Sequence, residues 1–207
     1  MNKVIVIVGP TSVGKTLLSV SLAKKYNGEI INADSMQIYR GLDIGTAKIK
    51  EDEKENIVHH LFDIREVNDE YSIYNYQKDC RSCIDDIINR EKTPIIVGGT
   101  GLYIKAALYD YDLSITGNKL YNDMSNKDIY DILKDRFRDI NIDINNRRRL
   151  VRALNYYEET GKLITDNVTD KLLYDTIFIG LTCDREQLYD RINKRVDKMI
   201  DNGLINE

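Results

Sequence analysis

Apolar residues first gather in an unbroken run, Val4-Ile5-Val6-Ile7-Val8, the pattern of a strand buried on both faces of a parallel sheet. Leu17, Leu18, Val20, Leu22 and Ala23 then recur at helical spacing. The alternation of strand and helix continues. Glu29 to Asp34 reads as a second strand that ends on an acid, and His59 to Ile64 as a short one. Ser72 is placed to cap a long helix in which Ile73, Tyr76, Cys80, Cys83, Ile84, Ile87 and Ile88 share a face. Pro94-Ile95-Ile96-Val97 predicts another buried strand, and Thr176 to Thr182 a further core strand. Asp184 is expected to cap a last helix that turns Leu188, Ile192, Val196 and Met199 inward.

Two stretches break this rhythm. Gly41 to Lys48 has two glycines and no period, so it is a loop, and Lys50 to Glu55 is a solvated charged stretch. From Tyr109 to Asn146 the apolar content drops, which predicts an excursion out of the sheet with one helix near Asp128–Phe137. A helix over Arg147–Tyr157, ended by Gly161, follows. The expected architecture is α/β: a parallel sheet flanked by helices, with a small helical insertion. Its expected parts are a first core segment over 1–108, an insertion over 109–146, and a return to the core over 147–207.

The junction between the first strand and the first helix carries the sharpest chemistry. Gly9-Pro10-Thr11-Ser12-Val13-Gly14-Lys15-Thr16 has the spacing of a phosphate-binding loop, in its proper context between strand and helix. Its glycines let successive N–H groups turn toward phosphate oxygens, and the helix N-terminus adds its positive end. Lys15 brings a point charge to the phosphates, and the Thr16 hydroxyl is placed for Mg²⁺. Asp34, at the carboxyl end of the next strand, falls on the same rim of the sheet. So does Gly98-Gly99-Thr100-Gly101, whose glycines allow a ligand close to the backbone. No carboxylate ends the Pro94–Val97 strand, which counts against an ATPase or GTPase.

Composition narrows the class. The 207 residues are 42% hydrophobic and 31% charged, as in an ordinary globular chain. A net charge of −4 gives no global attraction to nucleic acid, so any RNA contact must be local. The local candidate is Arg147, Arg148, Arg149 and Arg152, a cluster that the helix dipole disfavours and an anionic partner would relieve. Arg191 and Arg195, four apart on the last helix, can address one anionic group. Three cysteines, an odd count, fit reduced thiols and a cytoplasmic setting, and the first apolar run is too short for a membrane anchor. Cys80 and Cys83, one turn apart on an apolar face, read as core residues. The two histidines, His59 and His60, lack neighbours at metal-ligand spacing.

Six segments together resemble the tRNA dimethylallyltransferases: Gly9–Thr16, Asn32-Ala-Asp-Ser-Met-Gln-Ile-Tyr-Arg40, Gly41-Leu-Asp-Ile-Gly-Thr-Ala-Lys48, His60-Leu-Phe-Asp-Ile64, Gly98-Gly-Thr-Gly-Leu-Tyr103 and Arg149-Leu-Val-Arg-Ala-Leu154. The resemblance implies a fold like that of P-loop nucleoside and small-molecule kinases. It also implies transfer of a dimethylallyl group from its diphosphate to the exocyclic amine of the adenine beside the tRNA anticodon. The loop Gly9, Pro10, Thr11, Ser12, Val13, Gly14, Lys15 and Thr16 would hold the prenyl diphosphate, with Mg²⁺ on Thr16. Asp34 would be the general base, Thr100 would hydrogen-bond the RNA at the channel mouth, and Arg195 would take charge from the departing diphosphate. Asp34, Ser35, Met36 and Gln37 would meet the adenine, and Arg148, Arg149, Leu150, Val151 and Arg152 the anticodon stem-loop. A monomer without membrane contact is expected. In the family the insertion is longer and the chain continues beyond Gly203-Leu204-Ile205-Asn206-Glu207. The rival readings are a nucleotide or small-metabolite kinase and a shortened, non-catalytic tRNA-binding form.

Overall fold

Five parallel strands run in the order β3-β2-β4-β1-β7: β1 (Val4–Val8), β2 (Gly28–Asn32), β3 (His59–His60), β4 (Thr93–Val97) and β7 (Thr176–Gly180). This computed structural model describes residues 3–111, 113, 119–137, 139–163 and 168–207, with 168–170 described by backbone alone. The parts of the predicted insertion at 112, 114–118 and 138 lie outside the described residues.

Alternation along β1 explains the layering. Val4 and Val6 face one side with Ile31, Tyr76, Ile84, Ile87 and Leu108, under helices α2 (Ile73–Asn89) and α3 (Gly101–Leu108). Ile5 and Ile7 face the other side with Val20, Ala23, Ile30, Ile95 and Val97, against helix α1 (Lys15–Lys25). Both faces are covered, which is why the strand reads as a continuous apolar run rather than an alternating one. Ser72 does cap α2, its side chain accepting from the Asn75 N–H while Asn75 answers the Ser72 N–H. Cys80 is buried on the core face of α2 and Cys83 partly so; both are free thiols whose pKa burial raises, to about 12 and about 11.

The structure differs from the expected elements in instructive places. The second strand stops at Asn32, so Asp34 stands in the turn beyond it. The strand at His59 lasts two residues, because Leu61 and Asp63 take positive φ angles of 62° and 54° and end the ladder. β7 is an edge strand paired only with β1 among the described strands, and Ile177 and Phe178 are 43% and 45% exposed, so it is not the core strand its apolar run suggested. The last helix, α6 (Arg185–Asp201), buries Met199 but leaves Val196 exposed.

The chain divides into two units, the first formed by 1–109 with 172–207 and the second by 110–171. β5 (Tyr109–Tyr111) runs across the entry boundary of the second unit and β6 (Val168–Leu172) across its exit, and the two pair as a two-stranded sheet. Between them lie α4 (Asn126–Arg136) and α5 (Arg147–Thr160), around a core of Ile129, Leu133, Ile142, Leu150, Ala153 and Leu154. Thus α5 belongs with the insertion, whereas the sequence pattern predicts it in the return to the core. Its apolar face is spent on α4. Gly161 ends it with φ 71°, the left-handed cap that glycine favours.

Candidate active site

The carboxyl ends of β1, β2 and β4 open on a cleft of about 760 Å³ in the first unit. The phosphate loop forms its floor. Gly9 has φ 152° and a Cβ there would lie 2.5 Å from the Leu181 carbonyl oxygen, so only glycine fits. Gly14, at φ 100°, is the N-cap of α1, and no side chain caps that helix. Its first-turn amides are therefore left for an anion, with Gly14, Lys15, Thr16 and Leu17 on the cleft wall. Ser12 Oγ is buried in the same loop without a hydrogen-bond partner among the described residues. A buried hydroxyl of that kind calls for a partner from outside the chain, a bound ligand or a water.

Lys15 reaches back to the carbonyl oxygens of Gly9 and Pro10 at 2.9 and 2.7 Å. Burial lowers its pKa; the charge of Asp34 opposes that, and Arg195 adds to it. Lys15 thus feels the charges of both Asp34 and Arg195. Arg195, from α6, donates to Thr11 Oγ1 at 2.6 Å and to the Thr46 carbonyl at 3.1 Å. Its guanidinium ties the phosphate loop to the 41–48 loop. Arg191 is exposed and is not among the residues that line the cleft, so the expected pairing of the two arginines is replaced by Arg195 alone.

Asp34 is held by its neighbours rather than by a strand. Its Oδ1 accepts the Met36 N–H at 2.9 Å, and its own N–H donates to Asn32 Oδ1 at 2.9 Å. Thr100 Oγ1 accepts the Ser35 N–H at 3.2 Å, and the Thr100 N–H donates to the Ala33 carbonyl at 3.1 Å. Gly98 makes this approach possible, since a Cβ there would sit 2.2 Å from the Ala33 oxygen. Gln37 donates to the Thr46 carbonyl at 3.0 Å, while Met36 is half exposed. Asp34, Gln37, Lys15, Thr16 and Arg195 line one cleft.

Several participants escaped sequence reasoning. Asn32 is 1% exposed and brackets Asp34, yet in sequence it is merely one residue within a predicted strand. Tyr76 supports it from α2, donating its hydroxyl to the Asn32 carbonyl at 3.0 Å and stacking on Tyr103 at 4.1 Å. His59 lines the cleft beside Phe62, with Nδ1 2.8 Å from the Ile57 carbonyl and Nε2 buried without a partner among the described residues. Burial lowers the His59 pKa. His60 turns away to Glu29, Nε2 to Oε2 at 2.6 Å.

The donor set fits Mg²⁺ carried on a diphosphate. Thr16 offers a hard oxygen ligand in the cleft, and Mg²⁺ takes few protein ligands beside phosphate oxygens and water. Among the described residues no group of three or more His, Cys, Asp or Glu side chains could cage a metal by itself.

The arginines of α5 lie in the second unit. Arg148, Arg149 and Arg152 are exposed. The protein around Arg152, and then the like charge of Arg148, lower the Arg152 pKa. Arg147 is spent internally, donating to the carbonyls of Met124 at 2.8 Å and Tyr121 at 2.5 Å. Leu150, expected at the RNA, is fully buried and Val151 packs against the same core, so both support the helix instead. Among the described residues no helix is long and apolar enough to cross a membrane.

Comparison with known proteins gives one consistent result. The family model for IPP transferase matches residues 37–207. The chain is 51% identical over 216 residues to a tRNA dimethylallyltransferase of Anoxybacillus flavithermus, covering 100% of this chain and 70% of that protein. It is 48% identical over 221 residues to one of Enterococcus faecalis, covering 100% and 72%. Among solved structures it is similar to a eukaryotic dimethylallyltransferase acting on tRNA, with TM-score 0.91, 35% identity, and coverage of 99% of this chain and 54% of that one. A full-length tRNA isopentenylpyrophosphate transferase of Bacillus halodurans matches with TM-score 0.72, 40% identity, and coverage of 100% and 68%. These neighbours share the P-loop NTPase-like fold.

Proposed function

The chain belongs to the IPP transferase family, the tRNA dimethylallyltransferases, and we propose that it moves a dimethylallyl group from dimethylallyl diphosphate to an adenine amine beside the tRNA anticodon. The observation that carries this reading is the facing of Asp34 and Lys15 across one cleft, with Arg195 between the phosphate loop and the 41–48 loop.

Each group then has a task. The adenine amine is a weak nucleophile, because its lone pair is delocalised into the ring. Asp34 accepts the amine proton as the nitrogen bonds to the allylic carbon and that carbon's bond to the diphosphate oxygen breaks. The Met36 N–H holds one Asp34 oxygen and so turns the carboxylate toward the cleft. Negative charge growing on the diphosphate is met by the α1 amides, by Lys15 after it exchanges the Gly9 and Pro10 carbonyls for phosphate, and by Arg195. Thr16 is the residue that would hold Mg²⁺, which when bound neutralises part of the diphosphate charge. The target base must leave its stack to enter the cleft, where Ser35, Met36 and Gln37 meet its edge and Thr100 secures the Ser35 backbone. Arg148, Arg149 and Arg152 contact the phosphates of the anticodon stem-loop. A single-chain cytoplasmic enzyme is consistent with this assignment.

The test is mass spectrometry of unmodified tRNA after incubation with the protein, dimethylallyl diphosphate and Mg²⁺. The expected product carries one added dimethylallyl group on the adenine beside the anticodon. Label transfer from ATP to a small acceptor, with no prenylated tRNA, would assign the cleft to a kinase.

A further inference from the structure

We infer that Glu207 is a positioning residue for Arg195, acting through the 41–48 loop; the inference rests on the diphosphate reading of the phosphate loop given above. Glu207 Oε1 accepts the N–H groups of Asp43 and Ile44, both at 2.6 Å, and Oε2 accepts that of Gly45 at 2.8 Å. Three successive amides turned toward one carboxylate form an anion-holding concavity, here filled by the chain's own side chain from more than 160 residues away. These bonds, first that from Gly45, hold the Glu207 pKa below its ordinary value.

The loop needs such an anchor. It has no regular structure, and its internal ties are turns: Ala47 N–H to the Ile44 carbonyl and Lys48 N–H to the Asp43 carbonyl, each at 2.9 Å, and Thr46 Oγ1 to the Leu42 carbonyl at 2.6 Å. Lys48, 6% exposed, clamps its far end, donating to Asp43 and Asp63 at 2.6 Å and to the Tyr39 carbonyl at 2.8 Å. The near end presents the Thr46 carbonyl, the oxygen that orients both Arg195 and Gln37 toward the cleft. Glu207 grips the amides of Asp43, Ile44 and Gly45, directly before that carbonyl.

Glu207 and Arg195 also share a support. α6 carries Arg195, ends at Asp201, turns at Gly203 with φ 97°, and leads through the 3₁₀ turn Leu204–Asn206 to Glu207. Leu204 packs close enough that a Cβ on Gly45 would lie 3.1 Å from its Cδ1. One element therefore holds the loop at two points and fixes the separation of Thr46 and Arg195. Without Glu207 the loop keeps its turns, but the guanidinium loses the fixed carbonyl that aims it at the phosphates.

The experiment is a double-mutant cycle on the full chain, with calorimetric binding of inorganic diphosphate in the presence of Mg²⁺. Glu207→Ala should weaken that binding roughly ten-fold, and in an Arg195→Ala background the same change should have less than about a two-fold effect. Glu207→Gln, which keeps one acceptor oxygen, should recover part of the loss. Amide hydrogen exchange at Asp43, Ile44 and Gly45 should speed in Glu207→Ala and not in Arg195→Ala. Unchanged affinity in Glu207→Ala, or an equal loss in both backgrounds, would overturn the inference while leaving the diphosphate site standing. Absence of diphosphate binding by the unmodified protein would overturn both.

Discussion

Asn32 and Asp34 are joined by a reciprocal pair of hydrogen bonds: the Asn32 amide donates to the Asp34 carbonyl at 3.0 Å and accepts the Asp34 N–H at 2.9 Å. The same amide donates to the Leu61 carbonyl at 3.0 Å. A fully buried side chain thus fixes both the turn that carries the base and the segment after β3. Asn32→Ala would strand these backbone groups without partners. A loss of about 1–3 kcal/mol in denaturant unfolding is expected, with turnover falling more than diphosphate affinity.

The base itself is tested by Asp34→Asn. The substitution preserves shape but cannot take the amine proton. Prenyl transfer to tRNA should drop about 10²–10⁴-fold in single-turnover assays. Diphosphate affinity should change little, since Lys15, Arg195 and the α1 amides supply it. A variant that binds diphosphate poorly yet turns over normally would make Asp34 a support for the loop.

RNA affinity should reside in α5. Replacing Arg149 and Arg152 by Ala should weaken tRNA binding uniformly across sequences and flatten its dependence on salt by about one unit of slope per lost phosphate contact. Filter binding over a range of salt concentrations measures this. An unaltered slope would show that the cluster is only a solvated face.

A stability prediction concerns the opposite end of the sheet, away from the cleft. Glu29, 2% exposed at the start of β2, accepts from Arg90 at 2.6 and 2.8 Å, from Lys92 at 2.7 Å and meets His60 at 2.6 Å. The Arg90 hydrogen bonds lead in holding its carboxyl well below the usual carboxylate range, against the opposing effect of burial. Glu29→Gln should destabilise by about 2–4 kcal/mol at neutral pH, because the cations lose their partner. A depressed folded pKa means stability that is present above the unfolded value near 4.3 and lost as pH falls from there toward the folded one. The gap in melting temperature between wild type and Glu29→Gln should therefore begin to narrow below about pH 4 and keep shrinking as the pH falls further.

Local pattern was enough for much of the site. The phosphate loop is legible because its glycines, Lys15 and Thr16 act within one turn of backbone, between an apolar strand and a helix. The face of α2 follows from periodicity, and its start from Ser72 and Asn75, three residues apart. Asp34 was readable because a strand's carboxyl end faces ligand in any open parallel sheet. By contrast α3 was missed: Tyr103, Ile104, Ala106, Ala107 and Leu108 are all buried, so no polar face reveals its period.

What the tertiary structure alone decided is which neighbour each pattern meets. Periodicity shows that a residue lies on an apolar face without saying what covers it. Thus Leu150 went to the core of the second unit rather than to RNA, and β7 to the edge of the sheet rather than its middle. A hydrogen-bonding side chain is less legible still, since its sequence neighbours do not name its partners. Asn32 looks like one more residue of a strand, and Glu207 like any exposed acid. Their roles exist only because the fold returns Leu61 to Asn32 across 29 residues and Glu207 to the amides of Asp43–Gly45 across more than 160.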